Sequence, residues 1–360
     1  MSKALIAMSG GVDSSMAAAL MQEAGYECIG VTMHLYDHPE AETISAKSCC
    51  SKKETEDACA ICEKLGMEYR VVDFTREFRC KVMAQFVDAY VQGQTPNPCI
   101  ECNKHLKFDH LYQTAKELGC DKIATGHYAR VRQNMQNGRF ELLRGTDPTK
   151  DQSYVLYGLT QEQLSHTLFP LGELSKSRVR ELAGERGFVN AHKADSQDIC
   201  FVPDGHYERF IEQFLGKKLP EGNFVTKDGQ ILGRHKGLIY YTVGQRKGLG
   251  IAAQYPLYVK ELRPETNEVV LCEHEELFSD TLIAKHFNWG SIAQPKEQIR
   301  AQAKVRYRHT AQPCSAQVLE DGSVRVTFDE PQRAITKGQS VVLYDGDLVL
   351  GGGVITDVPE

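Results

Sequence analysis

Ala7-Met8-Ser9-Gly10-Gly11-Val12-Asp13-Ser14-Ser15 is the stretch whose reading decides the fold. Before it, residues 4–8 are apolar and of strand length; after it, residues 14–24 are good helix formers stopped by Gly25. The order is strand, glycine turn, helix. Gly10 and Gly11 allow close backbone approach to an anion, and Ser9, Ser14 and Ser15 add hydroxyl donors. The helix N-terminus adds free N–H groups and the positive end of a dipole, which suits phosphate. Asp13 places a carboxylate beside that anion, which makes sense if a magnesium ion bridges the two.

No lysine follows the glycines in the Walker position, and the Gly-x-Gly-x-x-Gly dinucleotide spacing is absent. Ser-Gly-Gly-x-Asp-Ser instead resembles the pyrophosphate loop of the N-type ATP pyrophosphatases. Those enzymes cleave ATP between its α and β phosphates, usually to adenylate an oxygen and make it a leaving group.

Alternating strands (4–8, 27–33, 69–73, 122–125) and helices (14–24, 53–65, 77–91, 108–118, 176–186) predict an α/β domain with a doubly wound parallel sheet. Ligands in such sheets lie beyond the carboxyl ends of the strands. The glycine loop, Met33 and Gly126-His127-Tyr128 all fall there. Met33 suits an adenine-packing residue and a core residue equally. The chain has 360 residues, enough for two or three domains. It has no run of about 20 apolar residues and enters a strand at Lys3 without a signal-peptide pattern, so no membrane partner and a cytoplasmic location are expected. There, 12 cysteines should be thiols, metal ligands or catalytic groups. With a net charge of −6, any nucleic acid must be held by a local basic surface.

The cysteines fall into groups. Cys49, Cys50, Cys59 and Cys62 raise a zinc site, but Cys59 and Cys62 lie in a helical pattern and read better as packed thiols. Thr95-Pro96-Asn97-Pro98-Cys99-Ile100-Glu101-Cys102 predicts a rigid proline loop with two reactive thiols, helped by Lys104 and Lys107. Cys200 ends the polar run Asp195-Ser196-Gln197-Asp198-Ile199.

The ordered set of motifs is more specific than the loop alone. Thr-Pro-Asn-Pro with its cysteine and Asn103, Gly126-His127-Tyr128, Lys150-Asp151-Gln152-Ser153-Tyr154 and Asp195–Phe201 are similar to the tRNA-specific 2-thiouridylases, as are 233–237, 241–250 and Val305-Arg306-Tyr307-Arg308. The resemblance spans nearly the whole chain. It implies an ATP-dependent sulfurtransferase that adenylates the wobble uridine at C2 and replaces oxygen by sulfur. It implies Cys102 as nucleophile and Cys200 as carrier of a persulfide received from a donor protein. ATP would be bound by Ala7, Met8, Ser9, Gly10, Gly11, Val12, Asp13, Ser14, Met33 and Gly126, with magnesium at Asp13. tRNA would meet Thr95, Pro96, Asn97, Pro98, Cys99, His127, Lys150, Asp151, Gln152, Arg306, Tyr307 and Gln339. One departure stands out: Cys99 occupies a position where the best-known members carry Asp. Cys99, Cys102 and Cys200 therefore keep an iron–sulfur ligand set open, and with it an iron–sulfur-dependent thiolation. Another ATP pyrophosphatase-type RNA modifier or synthetase is the remaining alternative, but it gives the cysteines no role.

After Phe201 the periodicity changes. One short helix is expected at 204–214, then extended segments to about residue 280. Asp321-Gly322 and Asp345-Gly346 each separate strand-like runs, which predicts hairpins in a small C-terminal β-barrel. Lys285, Lys296, Arg300, Lys304, Arg306 and Arg308 cluster in its first part, as an RNA surface requires. The expected division is an ATP pyrophosphatase domain at 1–203, a central tRNA-contacting domain at 204–280 and the barrel at 281–360.

Overall fold

The computed structural model describes residues 2–36, 52–195 and 199–359, and holds three sheets among them. Cys49 and Cys50 of the first cysteine group and Ser196-Gln197-Asp198 of the Cys200 motif lie outside the described residues.

The first sheet is β3-β2-β1-β4-β7, with β1 at Lys3–Ala7, β2 at Glu27–His34, β3 at Glu68–Asp73, β4 at Lys122–Ala124 and β7 at Thr167–Leu168. Every pairing is parallel, as the strand–helix alternation predicts. β1 is central, and its Ala4, Leu5 and Ile6 are fully buried. Helix α1 (Val12–Glu23) and helix α2 (Lys52–Leu65) pack on one face through Met16, Ala18, Ile61 and Cys62. The chain leaves β1 for β2 on one side and later returns to β4 on the other. The crevice at that reversal opens beyond the strand ends, where the glycine loop sits.

The proline segment departs from the expected loop. Pro98 is the first residue of a helix, Pro98–Glu101, and the Asn97 side chain caps it by accepting from the Cys99 N–H at 3.1 Å. Proline is well tolerated at that position, because its missing N–H would have no partner there. The helix continues through a wider, π-wound stretch, Cys102–His110, into Leu111–Glu117. Both cysteines therefore stand on a helix.

Helix Tyr207–Leu215 leads to a four-stranded sheet, β10-β11-β8-β9, spanning β8 at Gly222–Val225, β9 at Ile231–His235, β10 at Tyr258–Arg263 and β11 at Glu268–Cys272. The last sheet runs β12-β15-β14-β13-β16-β17 and closes through β12–β17, giving a six-stranded barrel around Leu282, Val326, Val341 and Leu343. Its strands are β12 Phe278–Asn288, β13 Ile299–Lys304, β14 Gln312–Val318, β15 Val324–Arg333, β16 Ser340–Asp345 and β17 Leu348–Asp357. Both expected hairpins form, with Gly322 and Gly346 at positive φ. One connection was not legible in sequence. The hairpin of β5 (Ala129–Gln133) and β6 (Phe140–Arg144) leaves the first domain and joins the barrel sheet beside β17.

Candidate active site

A cavity of about 1200 Å³ opens between the strand ends of the first sheet and the barrel. The glycine loop forms one wall. The Ser9 N–H donates to Ser14 Oγ at 3.2 Å, and Ser14 Oγ donates to the Gly11 carbonyl at 3.0 Å, so the loop is tied to the first turn of α1. Gly10 has φ +71°, and a Cβ there would stand 2.3 Å from the Glu54 carbonyl. It lets the loop pass against α2. Buried Asn190 donates to the Gly10 carbonyl at 3.1 Å and to Ser15 Oγ at 2.9 Å, holding the loop from behind.

Gly126 forms the opposite lip. A Cβ on it would stand 2.8 Å from both the Asp13 carbonyl carbon and the Ser14 nitrogen. Only glycine lets the turn after β4 meet the start of α1. The next residue, His127, is buried. Its Nδ1 lies 2.7 Å from Thr125 Oγ1 and its Nε2 lies 3.4 Å from Lys107 Nζ. Burial, and then the Lys107 ammonium, hold its pKa well below the ordinary imidazole value, so the ring is neutral. An ammonium only donates, so Nε2 accepts from Lys107 and Nδ1 carries the proton toward Thr125. Gln152 clamps this turn: its side-chain oxygen accepts from the Tyr128 N–H at 2.9 Å, and its own N–H donates to the Tyr128 carbonyl at 2.9 Å.

Asp13 is more heavily engaged than its motif implied. Lys176 Nζ lies 2.8 and 2.7 Å from its two oxygens, and the Tyr128 hydroxyl donates to it at 2.7 Å. The same ammonium lies 2.7 Å from Asp195, which also pairs with Lys150 at 2.7 Å and Arg180 at 2.8 Å. Burial would raise the Asp195 carboxyl, but the Lys150 and Lys176 ammonium groups hold it down at about 2. Lys176 was not singled out for this wall, and no local motif marks it, whereas Tyr128 belongs to the Gly126-His127-Tyr128 turn already expected there.

Cys99, Cys102 and Cys200 all line the cavity. Cys102 and Cys200 pack against one aromatic cluster that includes Phe78, Phe86 and Phe201, and the Tyr36 hydroxyl donates to the Cys200 carbonyl. Lys107 lines the same space, whereas the aliphatic stem of Lys104 lies against Gly158. Among the described residues, no three Cys, His, Asp or Glu side chains gather closely enough to hold a metal ion. Cys62 is buried, and burial pushes its thiol up to about 12, in keeping with a packed residue.

Of the residues expected at ATP, all but Gly10 line the cavity. On the RNA side, Pro98, Cys99, His127, Lys150, Asp151, Gln152 and Tyr307 do so. Thr95, Pro96, Asn97, Arg306 and Gln339 do not. Arg306 turns away, donates to the Arg333 carbonyl at 3.1 Å and has its pKa lowered by burial. Its neighbours Lys304 and Arg308 face the cavity in its place. Arg144, which sequence reasoning missed, also lines the cavity, with its guanidinium 4.0 Å from the Tyr344 ring centre.

Residues 2–204 match the family described as tRNA methyl transferase HUP domain. Residues 208–273 match the tRNA methyl transferase PRC-barrel domain, and residues 279–355 the aminomethyltransferase β-barrel domain. The chain is 48% identical over 353 residues to "tRNA-specific 2-thiouridylase MnmA" of Clostridioides difficile strain 630, covering 98% of each chain. It is 50% identical over 355 residues to the protein of the same name from Carboxydothermus hydrogenoformans, covering 98% of this chain and 97% of that one. A solved 4-thiouridine synthetase–RNA complex with bound ATP aligns with 60% of this chain and 50% of its own at 18% identity and a TM-score of 0.37, too distant to bear on the site.

Proposed function

This chain belongs to the tRNA-specific 2-thiouridylases, and from that premise we propose how its residues divide the work. The reaction is ATP-dependent formation of 2-thiouridine in tRNA. The observation that carries the division of roles is that the glycine loop, Cys102 and Cys200 line one cavity.

ATP phosphates lie on Ser9–Ser14, with adenine toward Met33. The O2 atom of the flipped-out wobble uridine attacks the α-phosphorus. The O2–P bond forms, the bond to the β-phosphate breaks, pyrophosphate leaves with the electron pair, and the N3 proton passes to water. The oxygen is now part of an AMP leaving group. The terminal sulfur of a Cys200 persulfide attacks C2 and displaces AMP. The Cys102 thiolate then attacks the Cys200 sulfur and breaks its bond to the transferred sulfur; 2-thiouridine leaves, taking a proton back at N3 from water, and a Cys102–Cys200 disulfide remains for a cellular thiol to reduce. The persulfide comes from a donor protein. Cys102 opens the π-wound stretch Cys102–His110, and π-wound turns are frequent at functional sites.

Asp13 is a single carboxylate, which fits a magnesium ion that arrives with ATP and takes its other ligands from phosphate and water. When bound, such an ion neutralises phosphate charge. Lys150, Lys304, Tyr307 and Arg308 form the RNA-facing side, and Arg306 supports the turn that carries them. The cytoplasm is the compartment that fits a tRNA substrate and thiols kept reduced. The three units divide at 1–203, 204–280 and 281–360, with the β5–β6 hairpin bridging the first and last.

The experiment is mass spectrometry of tRNA nucleosides after incubation with ATP and a persulfide donor. Appearance of 2-thiouridine with stoichiometric AMP supports the reading. ATP–pyrophosphate exchange without any thiolated nucleoside removes it.

A further inference from the structure

We infer that Lys176 is the cation that meets the ATP phosphates, supplying from a distant helix the charge that a Walker loop carries in its own sequence. The inference rests on the reading of Ser9–Ser14 as the phosphate site.

The loop has no cation of its own: Val12 and Asp13 follow Gly11, where a Walker sequence would have lysine and a hydroxyl residue after its last glycine. Two lysines reach it from elsewhere. Lys193 Nζ touches the Gly10 carbonyl at 3.3 Å, but Asp57 at 2.9 Å and Glu54 at 3.7 Å already outnumber it. Lys176 is more evenly matched. Among the described residues it stands with Lys150 and Arg180 against the carboxylates of Asp13, Asp195 and Asp147, three cations facing three carboxylates. Its ammonium reaches the carboxylate of the loop itself, Asp13.

Lys176 is also held in place. It opens the helix Lys176–Glu185, its backbone N–H donates to Asp147 at 3.0 Å, and its side chain is only 10% exposed. Its ammonium bridges Asp13, at the start of α1, and Asp195. It lines the same cavity wall as Ser9, Gly11 and Ser14. A polyphosphate entering that wall would face the Asp13 carboxylate, and the ammonium between them offsets the repulsion. During attack on the α-phosphorus, negative charge moves onto the departing pyrophosphate, and a fixed ammonium stabilises it without reorganising.

The test is equilibrium ATP binding in EDTA, followed by ATP–pyrophosphate exchange with magnesium. Lys176→Met should weaken ATP at least about tenfold, as loss of a charge-assisted hydrogen bond implies. Adenosine binding should be unchanged, and Lys176→Arg should recover part of the loss. Asp13→Asn should bind ATP more tightly in EDTA, because a repelling charge is gone. The double variant Asp13→Asn with Lys176→Met leaves neither charge unpaired. If Lys176 contacts phosphate, this variant binds ATP more weakly than Asp13→Asn alone. If the two bind ATP equally, Lys176 serves only as a partner for Asp13 and the inference is overturned. Gly11→Val separates the two levels: if it leaves ATP binding intact, the phosphate-loop reading itself fails. If it abolishes binding while Lys176→Met does not, only the role of Lys176 fails.

Discussion

The side-chain amide of Gln339 donates to the carbonyl oxygen of Thr95 at 2.7 Å, across 244 residues of sequence. The Thr95 N–H donates in turn to the Lys337 carbonyl at 3.0 Å. The barrel thus grips the chain two residues before the Asn97 cap, at the base of the helix that carries Cys99 and Cys102. Gln339→Ala removes one half-buried hydrogen bond, an effect of about 1 kcal/mol on stability. The expected functional result is slower sulfur transfer with unchanged ATP–pyrophosphate exchange, because the strap positions Cys102 and not ATP. Single-turnover thiolation measured beside exchange checks it; equal loss in both would show that the strap supports the whole cavity.

Gly126→Ala tests the contact between the two lips. Its Cβ has no room against the backbone of Asp13 and Ser14. The variant should raise KM for ATP by about tenfold or more, since a displacement near 1 Å at a positioned site has costs of this order. tRNA affinity measured in the absence of ATP should hold. Steady-state kinetics at saturating tRNA give the answer.

The three cavity thiols should separate. Cys102→Ser and Cys200→Ser are each expected to be inactive in sulfur transfer while retaining exchange. Cys99→Ser should keep substantial activity in aerobically purified protein. Equal loss in all three, restored in wild type only by anaerobic cluster reconstitution, would favour an iron–sulfur mechanism. Cys59→Ser with Cys62→Ala is the control: turnover should stay constant and thermal stability should fall, because Cys62 packs against Gly30.

Lys304→Ala and Arg308→Ala should each lower the slope of log affinity against log salt by about one, as expected for loss of one phosphate contact. Arg306→Ala should leave the slope near the wild-type value and lower the melting temperature, since its guanidinium holds the Arg333 carbonyl. A salt titration of tRNA binding distinguishes them. Wild-type slopes for both Lys304→Ala and Arg308→Ala would move the RNA surface elsewhere.

His127 gives a pH signature. Its folded pKa lies well below the unfolded value of about 6.5. The unfolded chain therefore binds the proton more readily. The contribution is fully present above about pH 6.5 and is lost as the pH falls below it, by up to about 1.4 kcal/mol per unit. Wild type should lose more stability than His127→Gln between pH 7.5 and 5.5. Parallel denaturant curves at the two pH values check this; identical slopes would mean that the imidazole is not held neutral.

The sequence by itself determined the local chemistry. Strand, glycine turn and helix at residues 4–24, the β4 turn at Gly126 and the two barrel hairpins were all legible, because each depends on periodicity or on residue types a few positions apart. Even the error at Pro96–Cys102 was local: proline excludes the interior of a helix but fits its first turn, and only the Asn97 cap shows which applies. The tertiary structure decided which distant groups meet. Lys176 reaches Asp13 from 163 residues away, Gln339 reaches Thr95 from the barrel, and the β5–β6 hairpin joins a sheet that begins at residue 278. Arg306 and Arg308 look alike in sequence, yet one turns to the Arg333 carbonyl and the other to the cavity. A lysine or arginine carries the same charge wherever it lies. Whether it faces a carboxylate, a carbonyl or a phosphate depends on the path of the folded backbone, which no local pattern encodes.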